Sequence, residues 1–185
     1  MIEKTLEKVS RENHGIVTTA DVVAAGFSES ALRQHARRHP DEVEKLGSGI
    51  YLFLDPEEKT GVESSDSTFL VALGLAGSQA YLTGSTVLDY YNLANANPEK
   101  ITVRTPHRFR RVFPNWMKVS HTTRRERVDV INGIRLQNLE AAFLDAKDTR
   151  VDYRLEGLND AESRNLIGGD AADRVREKLR RKQGR

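Results

Sequence analysis

The chain contains no cysteine, which excludes disulfides and thiolate metal sites and disfavours a small secreted scaffold. No apolar run approaches the roughly 18 residues of a membrane span. The longest, FLVALGLAG, is broken by Gly74 and Gly77. The N-terminal MIEKTLEKVSREN is charged and amphipathic and lacks an apolar signal core. A cytoplasmic protein with no membrane partner is therefore expected. Internal repeats are missing, and the basic tail is the only low-complexity stretch. Catalytic signatures are missing as well: there is no G-x-S-x-G, no phosphate-binding loop and no dinucleotide fingerprint. His107 and His121 have almost no acids near them in sequence. Asp145 and Asp148 read as helix-capping or solvated groups, whereas a nuclease wants clustered carboxylates for a metal. The expectation is a non-enzymatic protein with no cofactor and no metal.

What is present is charge, unevenly placed. The formal net charge is only +2. Yet Arg104 to Arg127 holds eight Lys or Arg against one acid, and Arg174 to Arg185 holds seven against one. The rest of the chain carries 14 bases against 25 acids. Two basic segments in an otherwise acidic chain suggest two polyanion-facing surfaces. Either segment alone reads as readily as a solvated charged face. For the tail, cations at a helix C-terminus are favourable without any ligand.

The most informative stretch is GIVTTADVVAAGFSESALRQHARRHPDEVEKLGSGIYLF, residues 15 to 53. Ile2, Leu6 and Val9 give an amphipathic helix before it. Ile16-Val17 is a minimal strand. Thr18 or Thr19 caps a helix that ends at Gly26, and Ser28 caps a second, roughly Glu29 to His39, with Pro40 just beyond. Two short apolar runs, Val43 to Leu46 and Ile50 to Leu54, flank Gly47-Ser48-Gly49 as a hairpin. Strand, two helices and hairpin in that order make a winged helix-turn-helix over 1–58. In the second helix Leu32 and Ala36 share the inward face, while Ser30, Arg33, Gln34 and Arg37 share the opposite one.

A turn-rich acidic stretch near 55 to 66 reads as a linker, followed by a mixed α/β domain over 59–185. Its expected elements are helices over Ser67–Leu75 and Ser85–Leu93, the latter capped by Ser85, and strands at Ala80–Leu82, Lys100–Thr105 and Trp116–Ser120. A hairpin spans Val128 to Leu136 about Asn132-Gly133. Helices follow from Leu139, near 151–158, near 160–167, and over Ala171–Lys182. Phe113 and Trp116 are expected in the core. The fold class expected overall is α+β or α/β.

The order of four motifs resembles the AbiEi family, antitoxins of type IV (abortive infection) toxin–antitoxin systems. These are Gly15-Ile16-Val17-Thr18-Thr19, Ala25-Gly26-Phe27-Ser28, Leu46-Gly47-Ser48-Gly49-Ile50-Tyr51, and the later pair PEKITVRTP with GIRLQNLEAAFLDA (133–146). The resemblance covers roughly residues 2 to 146. It implies a winged-helix domain that binds inverted repeats in double-stranded DNA and represses its own operon. It also implies a second domain needed to counteract a nucleotidyltransferase-like toxin, without a stable complex. One departure is that Asp41, Glu42 and Glu44 surround Lys45 before the wing, where the family carries more Arg; this weakens wing-to-phosphate contact.

Candidate DNA contacts are Thr18, Thr19, Ser28, Ser30, Arg33, Gln34, Arg37, Arg38, Lys45 and Ser48. Arg33 and Gln34 suit base edges, since Arg favours guanine and Gln adenine. Arg37 and Arg38 suit phosphates, as do Thr18 and Thr19 at a helix N-terminus. A second basic surface, for antitoxicity or DNA, comprises Arg104, His107, Arg108, Arg110, Arg111, Lys118, Arg124 and Arg125. Phe109, Phe113 and Trp116 interleave with it, a texture that suits nucleic-acid backbones, RNA included. His35 and His39 read as surface or packing histidines rather than metal ligands. A stand-alone transcription factor, an RNA-binding protein and a nuclease are the rival expectations.

Overall fold

The computed structural model describes residues 2–12, 15–47, 49–53, 65–77, 79–110 and 112–183. Ser48, Arg111 and most of the expected linker lie outside the described residues. The architecture is mixed α+β, with eight helices and two sheets among the described residues. It divides into two compact units, within 1–78 and within 79–185. No described helix is long and apolar enough to cross a membrane.

The first unit begins with α1 (Ile2–Glu12) and β1 (Ile16–Thr18), followed by α2 (Thr19–Ala24) and α3 (Glu29–Arg38). A hairpin of β2 (Val43–Gly47) and β3 (Ile50–Phe53) completes a three-stranded antiparallel sheet in the order β1-β3-β2. The helix ends are chemically specified. Thr18 caps α2 by accepting the Asp21 N–H, and the Asp21 carboxylate accepts the Thr18 N–H in return, a reciprocal capping box. Gly26 then takes a left-handed φ of 85°, which reverses the chain toward Ser28. Ser28 caps α3 by accepting the Ala31 N–H. Leu6, Val17, Val22, Leu32, Val43 and Tyr51 form one core cluster, drawn from every element named so far. Each such fully buried aliphatic side chain contributes about 1.5–3 kcal/mol.

Helix α4 (Ser65–Ala76) belongs to this first unit. Its Gly74 meets β1 so closely that a Cβ there would lie 2.4 Å from Ile16 Cγ1. The helix is apolar around most of its circumference, so its sequence does not show which partner it packs against.

The second unit is built on a five-stranded mixed sheet. The strands are β4 (Tyr81–Leu82), β5 (Ile101–Thr105), β6 (Met117–His121), β7 (Val128–Ile131) and β8 (Ile134–Gln137). Their order is β6-β5-β4-β8-β7. β5 runs parallel to β6 and β4 to β8, while the β4–β5 and β7–β8 pairs are antiparallel. The β7–β8 turn carries Asn132 at φ 50° and Gly133 at φ 80°, the double left-handed turn that Asn-Gly favours. Register assigns Leu82, Val103, Ile134 and Leu136 to one face and Tyr81, Arg104, Arg135 and Gln137 to the other. Helices α5 (Ser85–Tyr90), α6 (Leu139–Asp145), α7 (Val151–Ser163) and α8 (Gly169–Gln183) complete the unit. Leu88, Phe143, Leu158, Val175 and Leu179 are fully buried.

Several expectations change here. Ser85 does not cap α5; Gly84 holds the N-cap position, and the Ser85 hydroxyl donates to Asp148 at 2.6 Å. α5 stops at Tyr90 because Asn92, Ala94 and Asn95 adopt left-handed backbone. The two segments expected near 151–158 and 160–167 are one helix ending at Ser163. Gly157 does not break it, since that glycine gives α7 room to press on the Ala94 backbone. Trp116 is 40% exposed rather than core, and Phe113 is half-buried with its ring edge-on to Phe109 at 4.9 Å.

Candidate nucleic-acid interface

In the first unit, burial of Leu32 fixes which way α3 faces. Gln34, Arg37 and Arg38 are consequently exposed and form no ion pair with any described residue. Arg33 is exposed but engaged: its Nη2 lies 2.6 Å from Glu29 Oε1, one helical turn back. The hydrogen bond and charge of Glu29 hold the Arg33 pKa above its ordinary value. Such an exposed pair is weak, so Arg33 can exchange the carboxylate for another acceptor. Lys45 is exposed on β2, beside a register irregularity between Lys45 and Gly47.

The capping residues have less to offer a ligand. The Thr18 hydroxyl donates to Asp21 at 2.7 Å, and its oxygen serves the Asp21 N–H. The Thr19 N–H donates to the Gly49 carbonyl at 2.9 Å. Ser28 and Ser30 share a hydroxyl–hydroxyl bond of 2.8 Å while Ser28 caps α3. Thr18 and Thr19 thus shape the start of α2, and neither presents the free N-terminal phosphate cradle the sequence suggested. Ser48 lies outside the described residues.

The basic segment of the second unit separates into two classes. His107, Arg108, Arg110, Lys118, Arg124 and Arg125 are exposed. Among the described residues, none of these six forms an ion pair. Lys118 lies on β6, the edge strand, and Arg124 and Arg125 lie in the segment that leads from β6 to β7 at the opposite edge. Val112 is 96% exposed among these cations. Arg111 lies outside the described residues.

Arg104 is of the other class, which corrects its assignment to the exposed basic surface. Its Nη1 donates to both Glu126 carboxylate oxygens at 2.9 and 3.0 Å and to Asp145 Oδ2 at 2.8 Å. Gln137 joins the same carboxylates, donating from Nε2 to Glu126 Oε2 and Asp145 Oδ2, each at 2.8 Å. Its Oε1 accepts the Gly84 N–H at the start of α5. Burial alone pushes the Asp145 carboxyl up, but hydrogen bonds from Gln137 and Arg104 and the Arg104 charge outweigh it and hold the group below its ordinary value. The Tyr81 hydroxyl lies against this cluster, where burial and then the Glu126 charge push its pKa up. The cluster is self-neutralising: it fastens β4, β5, β8 and α6 to the strand-linking segment around Glu126.

The basic tail is divided in the same way. Arg174 forks onto Glu140 of α6, with contacts of 3.2 and 2.9 Å. Arg176 reaches Asn159 and Glu162 of α7, each at 3.0 Å. These two arginines anchor α8, and they are unavailable to a polyanion without breaking those ties.

One grouping was not anticipated. Glu3 of α1 approaches His35 and His39 of α3, with one potential donor atom from each inside a mutual 4.8 Å. The two imidazoles stack at 4.4 Å between centroids. Burial first, then the His39 charge, lowers the His35 pKa against the opposing pull of Glu3 and Glu42. The sequence reads both histidines as surface or packing groups; Glu3 joins them only through the packing of α1. Comparison of the sequence with known protein families and with curated proteins finds no match.

Proposed function

We propose that the first unit is a winged helix-turn-helix DNA-binding domain, and that the chain is an autorepressor and antitoxin of a type IV toxin–antitoxin operon. The observation that carries the DNA reading is the polar side of α3. Arg33, Gln34, Arg37 and Arg38 are exposed there, on the second helix of a capped helix–turn–helix followed by a hairpin. Long hydrogen-bonding side chains near the start of such a helix meet base edges in the major groove, and the following cations meet phosphates. In free protein Arg33 pairs with Glu29, an exposed contact that a base or phosphate acceptor can replace. The antitoxin role rests on the AbiEi resemblance and remains with the second unit. Binding is to double-stranded DNA, with inverted repeats upstream of the operon as the intended site.

The test is a salt-titrated anisotropy measurement of the whole chain on its upstream DNA against a scrambled duplex of equal length. Specific recognition gives a gap of about a thousandfold or more. Arg33→Ala should cost about 1–3 kcal/mol and relax sequence preference. Equal losses on both duplexes would remove the base-reading role.

A second reading has its own observation. Arg108, Arg110, Lys118, Arg124 and Arg125 are exposed and unpaired among the described residues, with Trp116 and Val112 exposed in the same stretch. Cations beside an exposed indole suit single-stranded RNA. RNA outcompeting operator DNA would favour that reading.

A further inference from the structure

We propose that Glu3, His35 and His39 form a divalent transition-metal site that ties α1 to α3. The residue types are right: two imidazoles and a carboxylate are the ligands of zinc and its neighbours, with a fourth position left for water. The spacing is right too. His35 and His39 are one helical turn apart and therefore share one side of α3. Their donor atoms and one from Glu3 all lie within 4.8 Å of one another. Ligands about 2.0–2.2 Å from a tetrahedral zinc stand about 3.3–3.6 Å apart. Closure then requires the two imidazoles, stacked in the metal-free protein, to turn about their side-chain bonds until both ring planes meet at one point beside Glu3.

The surroundings support the assignment. Among the described residues, no hydrogen bond or ion pair to the His35 or Glu3 side chain competes with a metal, and the two attract each other electrostatically. Phe53 stacks on His35 at 5.9 Å and walls one side. Glu42 Oε2 lies 3.5 Å from His39 Nδ1, outside the three-donor set. If the metal takes His39 Nε2, that carboxylate can hold the other ring nitrogen, as partners of metal-bound histidines do. The site lies beside the inward-facing Leu32 and Ala36, and it uses none of Arg33, Gln34, Arg37 or Arg38. It stands or falls independently of DNA binding.

The experiment titrates Zn²⁺ into chelator-stripped full-length protein by calorimetry, with thermal melts alongside. The expected result is one saturable zinc per chain, reversed by chelator. At zinc about 100-fold above Kd, the unfolded population of the metal-binding unit should fall about 100-fold. Glu3→Gln changes an exposed side chain and tests the site without touching the core; it and His39→Asn should each weaken binding about 10-fold or more, and Glu42→Gln by a smaller factor. A paired His107→Ala, His121→Ala variant, altered only in the second unit, should bind as the parent does. The proposal is overturned if no saturable binding occurs, or if Glu3→Gln and His39→Asn, folded by their metal-free melts, bind zinc like the parent.

Discussion

Gln137→Glu exchanges a single NH₂ for an oxygen in a side chain that is 1% exposed. The oxygen that accepts the Gly84 N–H can remain in place. What disappears are two donated hydrogen bonds of 2.8 Å, to Glu126 and Asp145, which would then face a third carboxylate. A hydrogen bond to a charged group contributes about 1.5–3 kcal/mol. The Asp145 side chain is 34% exposed, so its share is discounted for solvent, while Arg104 still offsets part of the repulsion. A loss of about 3 kcal/mol at neutral pH follows. The introduced carboxyl is buried among negative charges, so its folded pKa rises above the unfolded value of about 4.3. A group with a raised folded pKa stabilises below the unfolded pKa and loses that contribution as pH rises through the folded one. The deficit should therefore shrink, though not vanish, as pH falls through the raised folded pKa, since a protonated carboxyl can restore one of the two donated hydrogen bonds. Urea unfolding followed by Trp116, the single tryptophan and a second-unit residue, reads the relevant unit. Equal midpoints for variant and parent at about pH 7.5, or a deficit unchanged at about pH 5, would refute the reasoning.

Four further outcomes are expected. Asp145→Asn should cost about 1–2 kcal/mol at neutral pH and flatten the acid limb of stability; the native carboxyl is held low, so its contribution is present above the unfolded pKa and lost as pH falls through the folded one. An acid limb identical to the parent's would contradict this. Thr18→Ala should destabilise the first unit by about 1 kcal/mol, with Thr18→Ser recovering most of it, as read by hydrogen exchange in α2. Gly157→Ala should destabilise by about 1–3 kcal/mol despite roughly 1 kcal/mol of better helix propensity, because the new Cβ would lie 2.5 Å from the Ala94 nitrogen; a higher melting temperature would overturn that packing claim. Glu29→Gln frees Arg33 and removes a negative charge, so non-specific DNA affinity should rise and its salt slope steepen by about one, measured by anisotropy. An unchanged slope would mean Arg33 makes no phosphate-range contact.

Local chemistry was legible in the sequence wherever the determining residues are neighbours. Ser28 before an apolar helix face, Asn132-Gly133 between apolar runs, and Leu32 setting the outward side of α3 all act within a few positions. The inward turn of Arg104 is not legible in the sequence because its partners, Glu126 and Asp145, lie 22 and 41 residues away, and a run of basic residues carries no sign of which member turns inward. Helix α7 passes through Gly157-Leu158-Asn159-Asp160, a string of turn formers, because tertiary contact with Ala94 requires the missing Cβ there. Trp116 is exposed because it precedes β6, whose first residue, Met117, takes the buried position; aromatic bulk alone does not tell the two apart. The Glu3–His35–His39 grouping required knowing that α1 reaches α3.

The split between arginines that fasten the fold and those that face outward bears on how the molecule behaves on a chromatographic matrix. A net charge of +2 suggests feeble retention on a cation exchanger near neutrality. But Arg104, Arg174 and Arg176 are neutralised by specific carboxylates, whereas Arg108, Arg110, Lys118, Arg124 and Arg125 are exposed within a short stretch of one unit and form no ion pair among the described residues. A resin samples the local field rather than the sum. Heparin or phosphocellulose should hold this chain as it would a far more basic one, and elution will report the outward set while the fastening set keeps the second unit folded through the gradient.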